Sequence, residues 1–350
     1  MKSVLIIVKN LTSGGAEKQS VLLAQAMSDA CRVHYIIFNG SKIHEKYISM
    51  MSNHNINIVS LKGSFISRFE KLISYIKENQ IEYVFPYLTG ANLISSLTLL
   101  FVKTKIYIGL RNSKLPFCKL IVDRFLHNHI AFGSVVNCYS GKNEFVKKGF
   151  NEKNMNVIQN CIDPIYPYME KKDDEIYDII TVGRFVEQKD YETAIKAIAL
   201  LKQKVSNLRF HIVGYGELEE KIRFWANQYG IRDHVNIYLN PNDIRSLLLK
   251  SDVFLSTSLF EGTSNSIMEA MNADLPIVAT NVGDNFCLVE DHKNGYLVEM
   301  KNFKKISEAL YELYENVDKR IGFGFRSKEI ISERFTMEML KQQYISLIQR

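Results

Sequence analysis

Two doubly wound α/β domains, joined by a polar linker and facing each other across a cleft, are what this 350-residue sequence predicts. Three observations carry that prediction. Short apolar runs alternate with helical segments, the pattern of a parallel sheet covered on both faces. The alternation stops once, at a polar stretch containing prolines, and then restarts. The chain is also long for a single compact core.

The first half opens with the strand "SVLIIV" (3–8) and a helix over 14–27, which begins at a glycine pair. Strands follow at 33–38 and 55–61, a helix at 65–79, and strands at 82–87, 105–110 and 135–140. Residues 83–102 carry no charge over about the length that spans a bilayer. Pro86, Thr89, Gly90, Asn92, Ser95, Ser96 and Thr98 interrupt the stretch. It therefore reads as a short strand, a polar turn and a buried helix.

The break is "NCIDPIYPYMEKKDDE" (160–175), the expected linker. Beyond it strands are expected at 177–183, 208–214, 235–239, 253–257 and 276–280, with helices at 190–204, 218–230 and 242–251 and another after residue 263. The expected division is 1–165 for the first domain, 166–335 for the second, and a terminal helix over 336–350.

Composition is that of a folded globular protein, 46% hydrophobic and 23% charged. Five widely spaced cysteines without a CxxC pair argue against a disulfide framework or a zinc site and fit a reducing, cytoplasmic setting. The first apolar run is too short for the core of a signal peptide. Charge is uneven: residues 1–165 hold 20 Lys+Arg against 10 Asp+Glu, the remainder 24 against 28. A basic first half points to an anionic partner, a membrane surface or a phosphorylated substrate, or is simply a solvated basic face. It contains no recognisable nucleic-acid-binding module and no aromatic residues spaced for base stacking.

In open α/β sheets ligands sit beyond the C-terminal ends of the strands, so the loops there carry the chemistry. The loop 9–18 brings Gly14 and Gly15 to a helix start, where free N–H groups attract anions. The loop 182–190 holds Arg184 and Lys189, a fork and a mobile point charge for phosphate oxygens. The third loop is "LFEGTSNSIMEAM" (259–271). Glu261 precedes the helix, Thr263 or Ser264 caps it, and Glu269 lies in it, away from the face formed by Ile267, Met268 and Met271. Gly262, Thr263, Ser264 and Asn265 offer backbone N–H groups. Carboxylates accept hydrogen bonds from hydroxyls and repel a diphosphate, so the combination suits a nucleotide sugar. The alternative is a solvated Glu261 and a Glu269 that serves only its helix.

Glu261-x7-Glu269, "VGRFVEQKD" (182–190), "VGYGELEEKIR" (213–223), "NCID" (160–163) and "SGGAEK" (13–18) together resemble glycosyltransferase family 4, retaining enzymes of GT-B fold. The resemblance runs over nearly the whole chain and is strongest at 177–300. It implies that Glu269 holds the ribose hydroxyls and Glu261 contacts the donor sugar. It implies that Arg184 and Lys189 neutralise the diphosphate and stabilise the leaving group. Gly14 and Gly15 would approach the phosphates, and Gly214, Gly216, Glu217 and Asn240 of the 239–241 segment would lie near the base. The terminal helix would return to the first domain. No two aspartates stand two residues apart, so there is no DxD metal motif, in keeping with a metal-independent enzyme without a cofactor. Retention by a front-side route, in which the leaving diphosphate accepts the acceptor's proton, is likewise what the family implies.

Many relatives carry a histidine in the first domain near the reacting sugar; here "IGLRNSK" (108–114) stands in that neighbourhood. Arg111 and Asn112 are the expected acceptor-side residues, with Arg111 on an anionic part of the acceptor or on the donor diphosphate. The segment 103–129 mixes Lys103, Lys105, Arg111, Lys114, Lys119 and Arg124 with Phe117, Leu120, Ile121 and Phe125. Such a mixture suits anionic lipid, hence a saccharide or lipid-linked saccharide acceptor and a peripheral place on the inner face of the cell membrane. The competing reading makes the apolar residues core. UDP is the expected nucleotide by resemblance to polysaccharide-building members, and GDP stays open. A sugar-nucleotide epimerase of the same architecture is the rival activity.

Overall fold

The computed structural model describes residues 1–12, 14–40, 43–111, 115–169 and 176–349. The chain divides into two compact units, Met1–Asp163 with Phe335–Arg350, and Pro164–Arg334.

The first unit is built on seven strands: β1 (Ser3–Val8), β2 (Arg32–Ile37), β3 (Ile56–Ser60), β4 (Tyr83–Tyr87), β5 (Lys105–Leu110), β6 (Gly133–Val136) and β7 (Met155–Val157). They form one parallel sheet in the order β3-β2-β1-β4-β5-β6-β7. Side chains alternate across a strand, and here both faces are buried. Val4, Ile6 and Val8 of β1 enter one apolar cluster, Leu5 and Ile7 the other. That is why the strands read as continuous apolar runs.

Helix Gly15–Met27 is buried at six consecutive positions, Gln19 to Ala24, because it is covered on two sides. One side meets the sheet and the other the C-terminal helix, Met337–Gln349. Leu340, Tyr344, Leu347 and Ile348 of that helix complete the first unit's core. Its last turn is tied to the sheet by hydroxyl donors: Tyr83 to the Ile348 carbonyl at 2.8 Å and Tyr107 to the Leu347 carbonyl at 3.3 Å.

Two local expectations fail. No polar turn separates β4 from the next helix; Leu88, at φ 72°, makes the corner itself and opens helix Leu88–Thr98. Asn92, Ser95, Ser96 and Thr98 are buried in the helix, where Asn92 exchanges two hydrogen bonds with the Gly109 backbone at 3.1 Å each. The strand expected over 135–140 ends at Val136, and Tyr139 opens helix Tyr139–Lys147. Among the described residues no helix is long and apolar enough to cross a membrane.

The second unit has six strands: β8 (Tyr177–Val182), β9 (Leu208–Gly214), β10 (Val235–Leu239), β11 (Val253–Ser256), β12 (Ile277–Thr280) and β13 (Gly295–Val298). All are parallel, in the order β10-β9-β8-β11-β12-β13. At its N-terminal edge Asp178 accepts from Arg209 Nε and Nη2 at 2.7 and 2.6 Å and pairs with His211 at 2.8 Å. Lys328, in helix Val317–Arg334, pairs with Asp274 at 3.1 Å in the interior. Asp274 in turn accepts from the Met169 N–H at 2.9 Å, and Asn272 accepts from the Tyr166 N–H at 3.1 Å. Segment 164–169 is thereby fastened to the second unit.

Candidate functional site

Strand order in the second unit reverses between β8 and β11, so the loops after these two strands flank the crevice where parallel sheets bind ligands. The β8 loop carries Arg184 and Lys189; the β11 loop carries Glu261. Lys189 Nζ lies 2.5 Å from Glu261 Oε1, with both side chains largely withdrawn from solvent. The same carboxylate oxygen accepts from Ser258 Oγ at 2.7 Å.

The two loops are laced together by backbone groups. Leu259 N–H donates to the Gln188 carbonyl and Gln188 Nε2 to the Phe260 carbonyl, each at 2.8 Å. Thr257 Oγ1 lies 2.9 Å from the carbonyls of both Lys189 and Asp190. Asp190, at φ 46°, turns the chain into helix Tyr191–Leu201 and caps it, its carboxylate accepting from the Thr193 N–H at 3.4 Å and also from Thr193 Oγ1 at 2.7 Å. The Lys189 side chain is therefore delivered to Glu261 by a rigid turn.

A third loop supports the pair from behind. Gly283 has φ 56°, and a β-carbon there would lie 2.1 Å from the Glu261 carbonyl oxygen. Thr280 Oγ1 donates to the Ser258 carbonyl at 2.6 Å, and Asn285 Nδ2 to the Thr280 carbonyl at 2.9 Å. Sequence reading passed over Ser258, Thr280, Gly283 and Asn285. The available signal was "TNVGD" (280–284), a glycine turn directly after an apolar strand.

Helix Asn265–Met271 is capped by Ser264, whose hydroxyl accepts from the Ile267 N–H at 3.5 Å. Ile267, Met268, Ala270 and Met271 are buried, while Glu269 is half-buried on the other face. Thr263 and Ser264 are buried; Gly262 and Asn265 are partly exposed. Gly214 and Gly216 press against the Arg184 loop: β-carbons there would lie 1.9 Å from the Gly183 carbonyl and 2.5 Å from the Phe185 carbonyl. Their role is close backbone approach, completed by Phe185 N–H donating to the Tyr215 carbonyl at 2.7 Å. Glu217 is exposed beside them, and Asn240, at φ 46°, donates its N–H to the Gly214 carbonyl at 3.0 Å. Arg184 is exposed and its side chain has no partner among the described residues.

In the first unit Gly14 precedes helix Gly15–Met27, and a β-carbon on Gly14 would meet the Glu17 carboxylate at 2.3 Å. The chain's own anion thus stands where a phosphate was expected, held by Thr12 Oγ1 at 2.9 Å. Arg111 stacks over the Tyr87 ring at 4.4 Å and donates to Tyr344 Oη at 3.2 Å. Its Nε is buried without a partner. Asn112 lies outside the described residues. Arg111, Lys9, Thr89, Lys119 and Asp123 line a cavity of about 460 Å³ beyond the sheet's C-terminal edge. Burial raises the Asp123 carboxyl, which accepts from Thr89 Oγ1 at 2.6 Å and from Asn92 Nδ2 at 2.9 Å.

Chemically, the loops after β8 and β11 offer the exposed Arg184 guanidinium, Lys189 already balanced by Glu261, and a second carboxylate, Glu269, across a helix start. Cations of this kind accept phosphate oxygens, and the carboxylates accept hydroxyl protons. Among the described residues no group of three or more His, Cys, Asp or Glu side chains is arranged to hold a metal ion.

Residues 168–329 match the family model described as Glycosyl transferases group 1. An uncharacterized glycosyltransferase of Haemophilus influenzae is 25% identical over 356 residues, covering 99% of this chain and 100% of that one. A Campylobacter jejuni protein, GalNAc-alpha-(1->4)-GalNAc-alpha-(1->3)-diNAcBac-PP-undecaprenol alpha-1,4-N-acetyl-D-galactosaminyltransferase, is 22% identical over 365 residues, covering 99% of this chain and 98% of that one. In fold, the chain is similar to the crystal structure of Anabaena Alr3699/HepE in complex with UDP and glucose, with a TM-score of 0.85, 18% identity and full coverage of both chains.

Proposed function

We propose that this glycosyltransferase, whose residues 168–329 carry the group 1 family signature, moves a hexosyl or N-acetylhexosaminyl residue from a UDP-sugar to a lipid-linked saccharide, with retention, in bacterial glycan assembly. The observation that carries the reading is the Lys189–Glu261 pair, with Arg184 free beside it, at the strand-order reversal of the second unit. The UDP and glucose named for the Anabaena structure and the undecaprenol diphosphate named for the Campylobacter relative support the choice of donor and acceptor classes.

In this reading the second unit holds the donor and the first the acceptor. Arg184 and Lys189 take the diphosphate, Glu269 the ribose hydroxyls, and Glu261 the donor hexose. Gly214, Gly216, Glu217 and Asn240 shape the loop under the base, and Gly262 to Asn265 complete the rim. Lys189 is shared between Glu261 and the arriving diphosphate, so its charge is positioned before the reaction starts. The bond between the anomeric carbon and the diphosphate breaks as the bond to the acceptor oxygen forms on the same face. The acceptor's proton passes to the departing phosphate oxygen. Two cations, Lys189 held by Glu261 and the exposed Arg184, take the developing charge, a task otherwise suited to a divalent ion. Arg111, Asn112 and the surrounding cavity meet the acceptor, and Gly14 and Gly15 come to the phosphates once Glu17 swings aside. The enzyme works in the cytoplasm, at the inner face of the cell membrane.

A thermal-shift panel of UDP- and GDP-sugars, followed by product analysis with undecaprenyl-diphosphate saccharides, tests the reading. A UDP-sugar raises the melting temperature by mass action and is consumed only with acceptor present. Conversion of the donor to an isomer without acceptor, or stabilisation by no nucleotide, would falsify it.

A further inference from the structure

Helix Leu88–Thr98 and the turn after it expose Leu93, Leu97, Leu100 and Phe101, with Leu100 77% accessible. The spacing of four, three and one puts them on one stripe. Helix Phe117–His129, packed beside it, exposes Phe117, Ile121 and Phe125 at intervals of four, with Phe117 74% accessible. These faces are apolar on the solvent side, the reverse of an ordinary surface helix. Ring contacts run on from Phe101 to Phe69 and the exposed Phe65, but their helix, Phe65–Glu78, also exposes Glu70, so the face free of carboxylates is that of the other two helices.

Charge decides what covers this surface. Between Glu82 and Glu144 the sequence carries a single acidic residue, Asp123, and that residue is buried. Lys119 and Arg124 lie in the second helix, Arg124 donating to the Lys148 carbonyl at 3.1 Å, and the exposed Lys103 follows the first; Lys105, in β5, is drawn instead over the Tyr83 and Phe132 rings. An apolar stripe flanked by cations, with no exposed carboxylate on either helix, matches the boundary between anionic headgroups and acyl chains. A second copy of the chain would bring like charges together, and a nucleic acid offers leucine and isoleucine side chains nothing apolar to bury against. Leu93, Cys118 and Val122 also line the cavity that holds Arg111 and Lys119, so the apolar surface runs to the cavity's wall.

We propose that helices Leu88–Thr98 and Phe117–His129 form a docking face for an anionic lipid bilayer, seating Leu100, Phe101, Phe117, Ile121 and Phe125 at its interface. The inference rests on the acceptor reading only for its purpose, which is to bring the cavity to acceptors held in the membrane; the docking itself stands on the surface alone. Leu120, grouped with this surface on sequence grounds, packs instead against the core beneath it.

The experiment is flotation of the full chain with phosphatidylcholine vesicles, with and without phosphatidylglycerol, at low and high salt, together with calorimetric titration of UDP. Flotation with the anionic vesicles is expected, weakening with salt. Phe117→Ser with Phe125→Ser lowers it at least about tenfold, since each buried ring contributes roughly that factor or more. Leu100→Ser with Phe101→Ser does the same from the other helix, and a urea-unfolding profile unchanged from the parent shows that the first unit of each variant is folded, since UDP reports only on the second. No flotation at low salt overturns the proposal, as does equal flotation of parent and variants. A dimer in sedimentation that both double variants dissolve overturns it in favour of self-association. UDP binding without flotation leaves the proposed function standing, whereas flotation without UDP binding leaves only the surface.

Discussion

The backbone of Gly283 lies so close to Glu261 that a single added methyl carbon would sit 2.1 Å from the Glu261 carbonyl oxygen. The glycine also has φ 56°, which an alanine adopts only at a cost. Gly283→Ala is expected to cost about 1–3 kcal/mol of stability. It shifts the Glu261 loop as well, so turnover falls on the order of 100-fold, because small displacements of reacting groups have effects of that size. Urea melts and steady-state rates on the same preparation check both parts.

Lys189 and Glu261 form a coupled unit. Lys189→Met leaves the carboxylate poorly solvated and is expected to destabilise the fold by about 2–3 kcal/mol. Adding Glu261→Gln recovers part of that loss, giving a coupling energy of about 1–3 kcal/mol in a double-mutant cycle. Turnover falls about 100- to 1000-fold in either single variant and is not restored in the double. A cycle that is additive in stability would show the pair to be incidental.

Arg184 makes the opposite prediction. Its guanidinium is exposed with no partner among the described residues, so Arg184→Ala leaves stability within about 0.5 kcal/mol of the parent. UDP affinity nonetheless drops about 10- to 100-fold, the effect of losing a charged hydrogen bond. Calorimetry beside a denaturant melt separates the two, and unchanged affinity would remove Arg184 from the donor site.

Asp178 governs acid stability. Burial pushes its carboxyl upward, but the hydrogen bonds from His211 and Arg209 outweigh burial and hold it below the ordinary carboxylate range. An unfolded aspartate titrates near pH 4, so the contribution is fully present above about that value. It is lost as pH falls through the lower value of the folded state. Asp178→Asn is expected to lower stability at neutral pH and to flatten its decline in acid, followed by urea unfolding from about pH 7 to pH 3.

Elements whose residues carry their own pattern were readable in the sequence. The strands Ser3–Val8 and Lys105–Leu110 fall where their apolar runs place them, because both faces of the parallel sheet exclude water there; Leu208–Gly214 and the edge strand Val235–Leu239 also fall as expected, on alternation rather than full burial. Features that depend on tertiary cover were not. The buried helix after β4 was read correctly, but not the missing turn before it or the inward use of Asn92, which pairs with the Gly109 backbone, a partner remote in the chain. Helix Val317–Arg334 buries Arg320 and Lys328, and their partners Asp252 and Asp274 lie in loops remote along the chain. At the site, the Arg184 and Glu261 loops stood out because charge and glycine follow a buried strand. That Lys189 is already neutralised by Glu261 was not legible, since the two residues lie 72 positions apart and meet through the adjacency of β8 and β11. Gly283 escaped for the same reason, since what it does is backbone placement against a different loop, and Ser258 escaped because a lone serine gives no sign that its hydroxyl holds the Glu261 carboxylate.

The first unit is discontinuous along the chain. Tyr83 and Tyr107 wait for the carbonyls of Ile348 and Leu347, and Leu340 and Tyr344 fill space beside β1 and β4 that nothing earlier in the polypeptide occupies. During synthesis, then, the half that leaves the ribosome first cannot close its core until the whole second unit and the following helix have emerged. The later-born half matures ahead of the earlier one, and the nascent first half has an unfilled groove until the tail arrives.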